Sequence, residues 1–423
     1  MALPVRALPT IQNWECQSCS ECCRTYAVRV SETERERILK QGWMSDPAFA
    51  GIEPMVHDRA LGEYRLNHQP DGACVFLDEQ NRCRIHAKFG EAAKPLACRL
   101  YPIVMIPAGD HWRVGIRFAC PSAANNWGTP LTDQALHLQK MADVLAEEMG
   151  VSPKNNQPQI LQAKEVVEWP DLLQFLKSIL ELVSDTKHPL ERRLRQVCAL
   201  ADVCKKSRFD AVTGSRLAEF LQVMLAVVRD EVPADPFALR KPSWIGRMLF
   251  RQYLAIYSRK DRGRTPGVAS TGRIVRLRAA WRFAMGTGRV PRLHGLMPHT
   301  TFAAIEQPGF ALPAESEMLL QRYFLVKLQS LQFFGAANFG RAFWDGLDSL
   351  LLTFPVMMWL ARVFAADGTR SPADAISLAS QVMDDHFGFN PLLGGYRQNW
   401  ANRTIAERGD IPKFIAWYSR ISS

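Results

Sequence analysis

The stretch Cys16-Gln17-Ser18-Cys19-Ser20-Glu21-Cys22-Cys23 places four thiols within eight residues. Thiolates are strong ligands for zinc and for iron–sulfur clusters, and a two-residue gap lets one turn of backbone present two sulfurs to one centre. The adjacent Cys22 and Cys23 point in different directions in most backbone conformations. At most one of them is therefore expected to share a centre with Cys16 and Cys19, the other serving a second centre or the scaffold.

Working outward, eight of the ten cysteines fall in the first 120 residues: Cys16, Cys19, Cys22, Cys23, Cys74, Cys83, Cys98 and Cys120. Only Cys198 and Cys204 follow; six residues apart in a helix, they lie on different faces and read as buried. Charge divides with the thiols. Residues 1–128 carry 15 basic and 14 acidic side chains, residues 129–423 carry 37 and 28. Asn125-Asn126-Trp127-Gly128-Thr129-Pro130 reads as the linker between them. The expected architecture is a small α+β, cysteine-rich metal-binding domain over 1–128 followed by a mainly α-helical domain over 129–423.

In the first part, the alternation of Tyr26 to Val30 suggests a short strand, and Ser31-Glu32-Thr33-Glu34 is a capping box opening a helix that ends at Gly42. Ala73–Leu77 and Arg82–Ile85 flank Asp78-Glu79-Gln80-Asn81 and predict a hairpin carrying Cys74 and Cys83. Val104–Ile106 and Trp112–Phe118 predict a second hairpin that delivers Cys120. In the second part, apolar residues recur at helical spacing over 131–148, 159–182, 189–206, 214–230, 243–258, 273–285, 315–334, 340–366 and 372–386, with Pro355 expected to kink or divide the 340–366 segment.

The whole chain of 423 residues is 47% hydrophobic and 22% charged with a net charge of +10, which excludes a disordered, collagenous or coiled-coil protein. The uncharged apolar stretch from Ser349 to Ala361 is too short to cross about 30 Å of hydrocarbon. The first fourteen residues lack the apolar core and cleavage site of a secretory signal. A cytoplasmic location without a membrane partner is the expectation, and there a cysteine cluster reads as metal-binding rather than disulfide-bonded.

In order and context, Cys16-x2-Cys19-x2-Cys22-Cys23, Cys74-x-Phe-Leu77, Cys83-x-Ile-His86 and Lys94-Pro-x2-Cys98-Arg-x-Tyr-Pro102 resemble the CxxCxxCC cysteine-cluster family, which is associated with zinc or iron chelation. The resemblance covers about residues 14–122 and implies metal binding through the cysteines. The layout, an N-terminal cysteine cluster before a helical region, is also similar to that of the flagellin lysine N-methylases. This second resemblance implies an iron–sulfur cluster, S-adenosylmethionine and a protein substrate as the alternative reading, and it carries no catalytic residue into 129–423. The C-x2-C-x2-C opening is shared with ferredoxin-like runs, although their fourth cysteine comes three residues later. Iron–sulfur is preferred to zinc on that ground. No dinucleotide fingerprint, Walker loop or HExxH occurs.

Weaker signals surround these. His86 reads as a local hydrogen-bonding group before a ligand. Arg99 and Tyr101 flank Cys98 and read as bonding cluster sulfurs or orienting its thiolate, with Tyr101 alternatively a core residue. Asp384-Asp385-His386 reads as a helix end. Residues 240–292 hold fourteen Lys or Arg against Asp261 alone, with Trp244, Tyr253, Tyr257 and Trp281 interleaved. Arg273, Arg276, Arg278 and Arg282 do not form one helical stripe. A protein partner or substrate is therefore expected before nucleic acid, and binding by either would also draw on Arg259, Lys260, Arg262 and Arg264.

Overall fold

Two apolar cores organise the chain. The computed structural model describes residues 3–58, 62–150, 159–163, 165–259, 272–307, 309–310 and 312–420. The smaller core gathers Val30, Ile38, Trp43, Phe49, Met55, Leu66, Val75, Phe76 and Ile85. Trp43 meets Phe49 and Phe76 with ring centroids 5.3 and 5.2 Å away. Around it lie the helix Glu32–Lys40 and an antiparallel sheet in which Glu63–Leu66 runs between Arg29–Val30 and Met55–Asp58. The capping box forms as expected: Glu34 N–H donates to Ser31 Oγ, and Ser31 N–H donates to Glu34 Oε2 at 2.9 Å.

The larger core runs from Leu3 to Tyr418. It includes the predicted second hairpin, Ile103–Ala108 with His111–Ile116, whose Trp112, Val114 and Ile116 are fully buried. Val5–Ala7 adds to that hairpin as a parallel strand. From Trp169 onward the chain is helical, with helices at Trp169–Ser184, Leu190–Lys206, Gly214–Glu231, Trp244–Tyr257, Arg273–Met285, Ala314–Gln329 and Pro372–His386. The periodicity reading missed Tyr396–Glu407, where polar residues interrupt the apolar spacing, and the short Asp410–Ser419, although its Ile411, Phe414, Ile415 and Tyr418 keep that spacing.

Several expectations change. Residues 73–85 form no continuous strands; isolated bridges pair His68 with Cys74 and Leu77 with Cys83, and Arg84–Phe89 is a helix. Asp78 Oδ1 accepts from the N–H groups of Gln80 and Arg82 and closes the turn that the hairpin pattern suggested. The start of the expected 159–182 helix is instead a strand pair, Gln159–Gln162 with Glu165–Val167. Pro355 sits in the first turn of Thr353–Phe364, after a break at Leu352 that ends Phe343–Leu351, so its missing N–H breaks no helical bond. Counted through, Phe343–Phe364 is 22 residues and apolar enough to cross a membrane by length and composition, longer than the uncharged stretch alone suggested. Its most apolar window is wholly buried inside the protein.

The expected linker is packed. Thr129–Pro130 pairs with Asn13–Trp14, and Asn126 Oδ1 accepts from Asn13 N–H at 2.7 Å. At Gly128, with φ +97°, a Cβ would stand 2.5 Å from the Glu15 backbone nitrogen, so only glycine fits. The division at residue 128 thus follows composition, while the larger core crosses it. A fragment of residues 1–128 would expose Trp112, Val114, Ile116 and Phe118 to water. It is expected to aggregate even when zinc or iron is supplied, as size-exclusion chromatography would show; a soluble monomer would restore the division.

Candidate metal centre

Local backbone geometry turns the cysteine loop. Ser18 and Ser20 adopt φ of 52° and 60°, left-handed values that fold the chain back between successive cysteines. Cys16 and Cys19 are exposed, while Cys22 and Cys23 are half-buried on the short helix Glu21–Thr25 with their sulfurs 3.9 Å apart.

The remaining thiols are brought in by main-chain contacts. Cys74 N–H donates to Cys23 O at 2.8 Å, which sets Cys74 beside the loop. Cys83 precedes the helix Arg84–Phe89, and Cys98 lies on Leu96–Leu100. Glu34 serves both places: beyond its capping role, its Oε1 accepts from Leu96 N–H at 2.6 Å and so fixes the helix that carries Cys98. Arg37 donates to Lys94 O at 3.0 Å in the same connection.

Electrostatics show which thiols are neighbours. The Cys22 thiol is pushed up by its bond with Cys23, and then by burial. Burial pushes Cys74 up to about 12, with Cys83 and Cys22 adding to it. Burial also pushes Cys98 up, with Cys74, Cys83 and Cys22 adding and Lys94 opposing. An inner group of Cys22, Cys74, Cys83 and Cys98 follows, with Cys23 against its edge. Cys19 is raised by partial burial and by Cys22 and Cys16, and Cys120 by burial with a contribution from Cys19. Cys16, Cys19 and Cys120 therefore form an outer group, joined to the inner one through Cys22. Burial and neighbouring thiols push up Cys19, Cys22, Cys74, Cys98 and Cys120, and a thiolate-binding metal would have to displace those protons. Among the described residues, no three His, Cys, Asp or Glu side chains stand together as a ready metal shell.

The end of the Pro372–His386 helix ties this region to the helical body. Asp384 Oδ2 accepts from Phe118 N–H at 2.5 Å and Ala119 N–H at 3.3 Å, directly before Cys120. Asp384 Oδ1 lies 2.7 Å from Lys327 Nζ, and both side chains are fully buried. Asp385 Oδ1 accepts from Tyr26 O–H at 2.7 Å and from Arg117 Nη2 at 3.0 Å. The Arg117 guanidinium lies over Phe389, Tyr26 and Tyr101, 3.9, 5.1 and 5.6 Å from their ring centres. Tyr26 follows Cys23 by three residues, so this latch fixes both ends of the thiol region.

Of the weaker sequence signals, His86 is exposed on its helix. Tyr101 is part of the latch, its ring 5.2 Å from that of Tyr26. Asp384 and Asp385 do more than end a helix, and His386 bonds Arg259 O through Nε2 at 2.7 Å. Cys204 lies within the helical core as expected, while Cys198 is half-buried against it; burial raises both thiols. Sequence reasoning missed Arg117, Tyr26 and Lys327. For Lys327 a signal existed, a lone charge between Val326 and Leu328 on an apolar helix face.

Residues 15–121 match the CxxCxxCC family model, described as "Putative zinc- or iron-chelating domain". No curated protein and no solved structure matches the chain. The layout similarity to flagellin lysine N-methylases gains no support from these comparisons.

Replacing Cys74 and Cys98 together with serine is expected to lower bound metal per chain by about half, and the pair Cys16 and Cys19 to remove most of the rest, if each group serves one centre. Elemental analysis of the purified variants checks this. Full occupancy in both double variants would exclude the assignment.

Proposed function

We propose that residues 15–121 form a metal-binding module in which Cys22, Cys74, Cys83 and Cys98 hold an iron–sulfur cluster. Cys16, Cys19 and Cys120 supply a second, more exposed thiolate set, and Cys23 stands at the boundary of the two. The observation that carries this reading is that Cys74 N–H donates to Cys23 O at 2.8 Å while Cys22 and Cys83 stand within electrostatic reach of both Cys74 and Cys98, whose thiols they help push up. Four thiolates satisfy the ligand requirement of such a cluster. The apolar side chains of Phe76 and Ile85 belong to the core against which Cys23, Cys83 and Cys98 pack, and such a shell limits solvent access.

The protein's own residues do three things toward a bound group. Glu34 holds the Cys98 helix in place, Asp384 holds the backbone before Cys120, and Lys94 supplies positive charge near Cys22 and Cys98, which favours their thiolate forms. A bound cluster would supply electron-transfer capacity or structural cross-linking to this scaffold.

The full chain purified without oxygen is expected to carry iron and acid-labile sulfide with broad charge-transfer absorption in the visible range. Zinc at stoichiometric occupancy without sulfide would replace the iron–sulfur reading, and a metal-free protein that takes up neither metal on reconstitution would overturn the module's metal-binding role.

A further inference from the structure

The helix Arg273–Met285 presents an unusual surface. Ile274, Leu277 and Trp281 are 66%, 70% and 67% exposed, and Met285 is also exposed. At about 100° per residue these four side chains share roughly 80° of arc. Arg278 and Arg282 border that arc on one side and Arg273 on the other, while Arg276 lies about 100° beyond that edge, near the anchored face; all four are exposed. An apolar stripe with arginines along both edges is the arrangement of a helix lying in a membrane interface, where the apolar side chains enter the acyl boundary and the arginines reach headgroup phosphates.

The opposite face holds the helix down. Phe283 is its only fully buried residue among those described, with Phe302 5.4 Å and Trp359 6.1 Å from its ring. At the C-terminal end Arg251 donates to Met285 O at 3.2 Å while pairing with Glu306. The anchoring leaves the stripe facing outward.

Charge matches the same partner. Between Asp261 and Glu306 the sequence has no acidic residue and eight arginines. Arg259 belongs to the structure, whereas Lys260, Arg262 and Arg264 lie outside the described residues. Nucleic acid fits less well, because the arginines flank the stripe instead of occupying its centre, and Tyr253 and Tyr257 are buried away from any base. We propose that this helix docks the protein peripherally on an anionic phospholipid surface. Such a partner differs from the protein partner expected from sequence, and it does not require a membrane-crossing segment.

The test is co-sedimentation of the full chain with vesicles of phosphatidylcholine containing about 30 mol % phosphatidylserine, against phosphatidylcholine alone. The wild type should bind the anionic vesicles only, with binding that weakens as salt rises. Leu277→Asp with Trp281→Asp, and separately Arg278→Glu with Arg282→Glu, should each weaken partitioning by about tenfold or more. The affected side chains are exposed, so thermal unfolding should be unchanged; Leu277→Ser with Trp281→Ser repeats the test if the first pair lowers it. No binding to anionic vesicles would overturn the proposal, as would binding indifferent to Leu277 and Trp281. Duplex DNA bound more tightly than vesicles, or a dimer dispersed by the Leu277/Trp281 variants, would also overturn it in favour of those occupants.

Discussion

The buried ion pair between Lys327 and Asp384 is the constraint on which the arrangement rests. Two fully buried charges 2.7 Å apart are costly to desolvate and persist only when each is paired and its remaining polar capacity is used. Lys327 meets this by also donating to Gln332 Oε1 at 2.6 Å. Asp384 meets it by accepting from the backbone of Phe118 and Ala119. Burial lowers the Lys327 pKa, and the Asp384 carboxylate opposes that shift. The second acceptor role of Asp384 is what makes the pair more than a helix–helix contact, because it seizes the chain one residue before Cys120.

The thiol region depends on the helical body through this point and its neighbour. Asp385 holds Arg117 and Tyr26, one next to the Cys120 segment and the other just after Cys23. The capping box of Glu32–Lys40 fixes Cys98 from the opposite side. A single carboxylate in each place, Asp384 and Glu34, therefore governs where distant cysteines stand. Burial of Cys74 and Cys98 accompanies that placement and pushes their thiols up. The proposed membrane helix lies elsewhere, anchored through Phe283 and Arg251, so the proposed metal loading and membrane docking would be separable.

Much of this was legible in the sequence, and the exceptions have physical reasons. The capping box and the Cys120 hairpin could be read because each is a local pattern with one structural solution. The eight thiols could be gathered into one region by density alone, but not sorted into inner and outer groups, since that depends on contacts such as Cys74 to Cys23 that span fifty residues. Residues 73–85 looked like a hairpin because apolar runs around a polar turn have strand-like composition; bridges at only two positions and the helix after Cys83 win locally. Composition changes at residue 128, while the larger core gathers Trp112 and Ile116 with residues of the helices beyond it. Asp384 read as a helix-terminal acid because nothing in its neighbourhood reveals a partner 57 residues earlier.

A double-mutant cycle on Lys327→Met and Asp384→Asn, followed by denaturant unfolding of all four proteins, tests the central dependence most directly. Each single change strands a buried polar partner and should cost about 3–5 kcal/mol. The double variant should cost clearly less than their sum, giving a coupling of about 2–3 kcal/mol. Single costs under about 1 kcal/mol that simply add would contradict the account, and would mean that the thiol region is held to the helices by apolar packing alone.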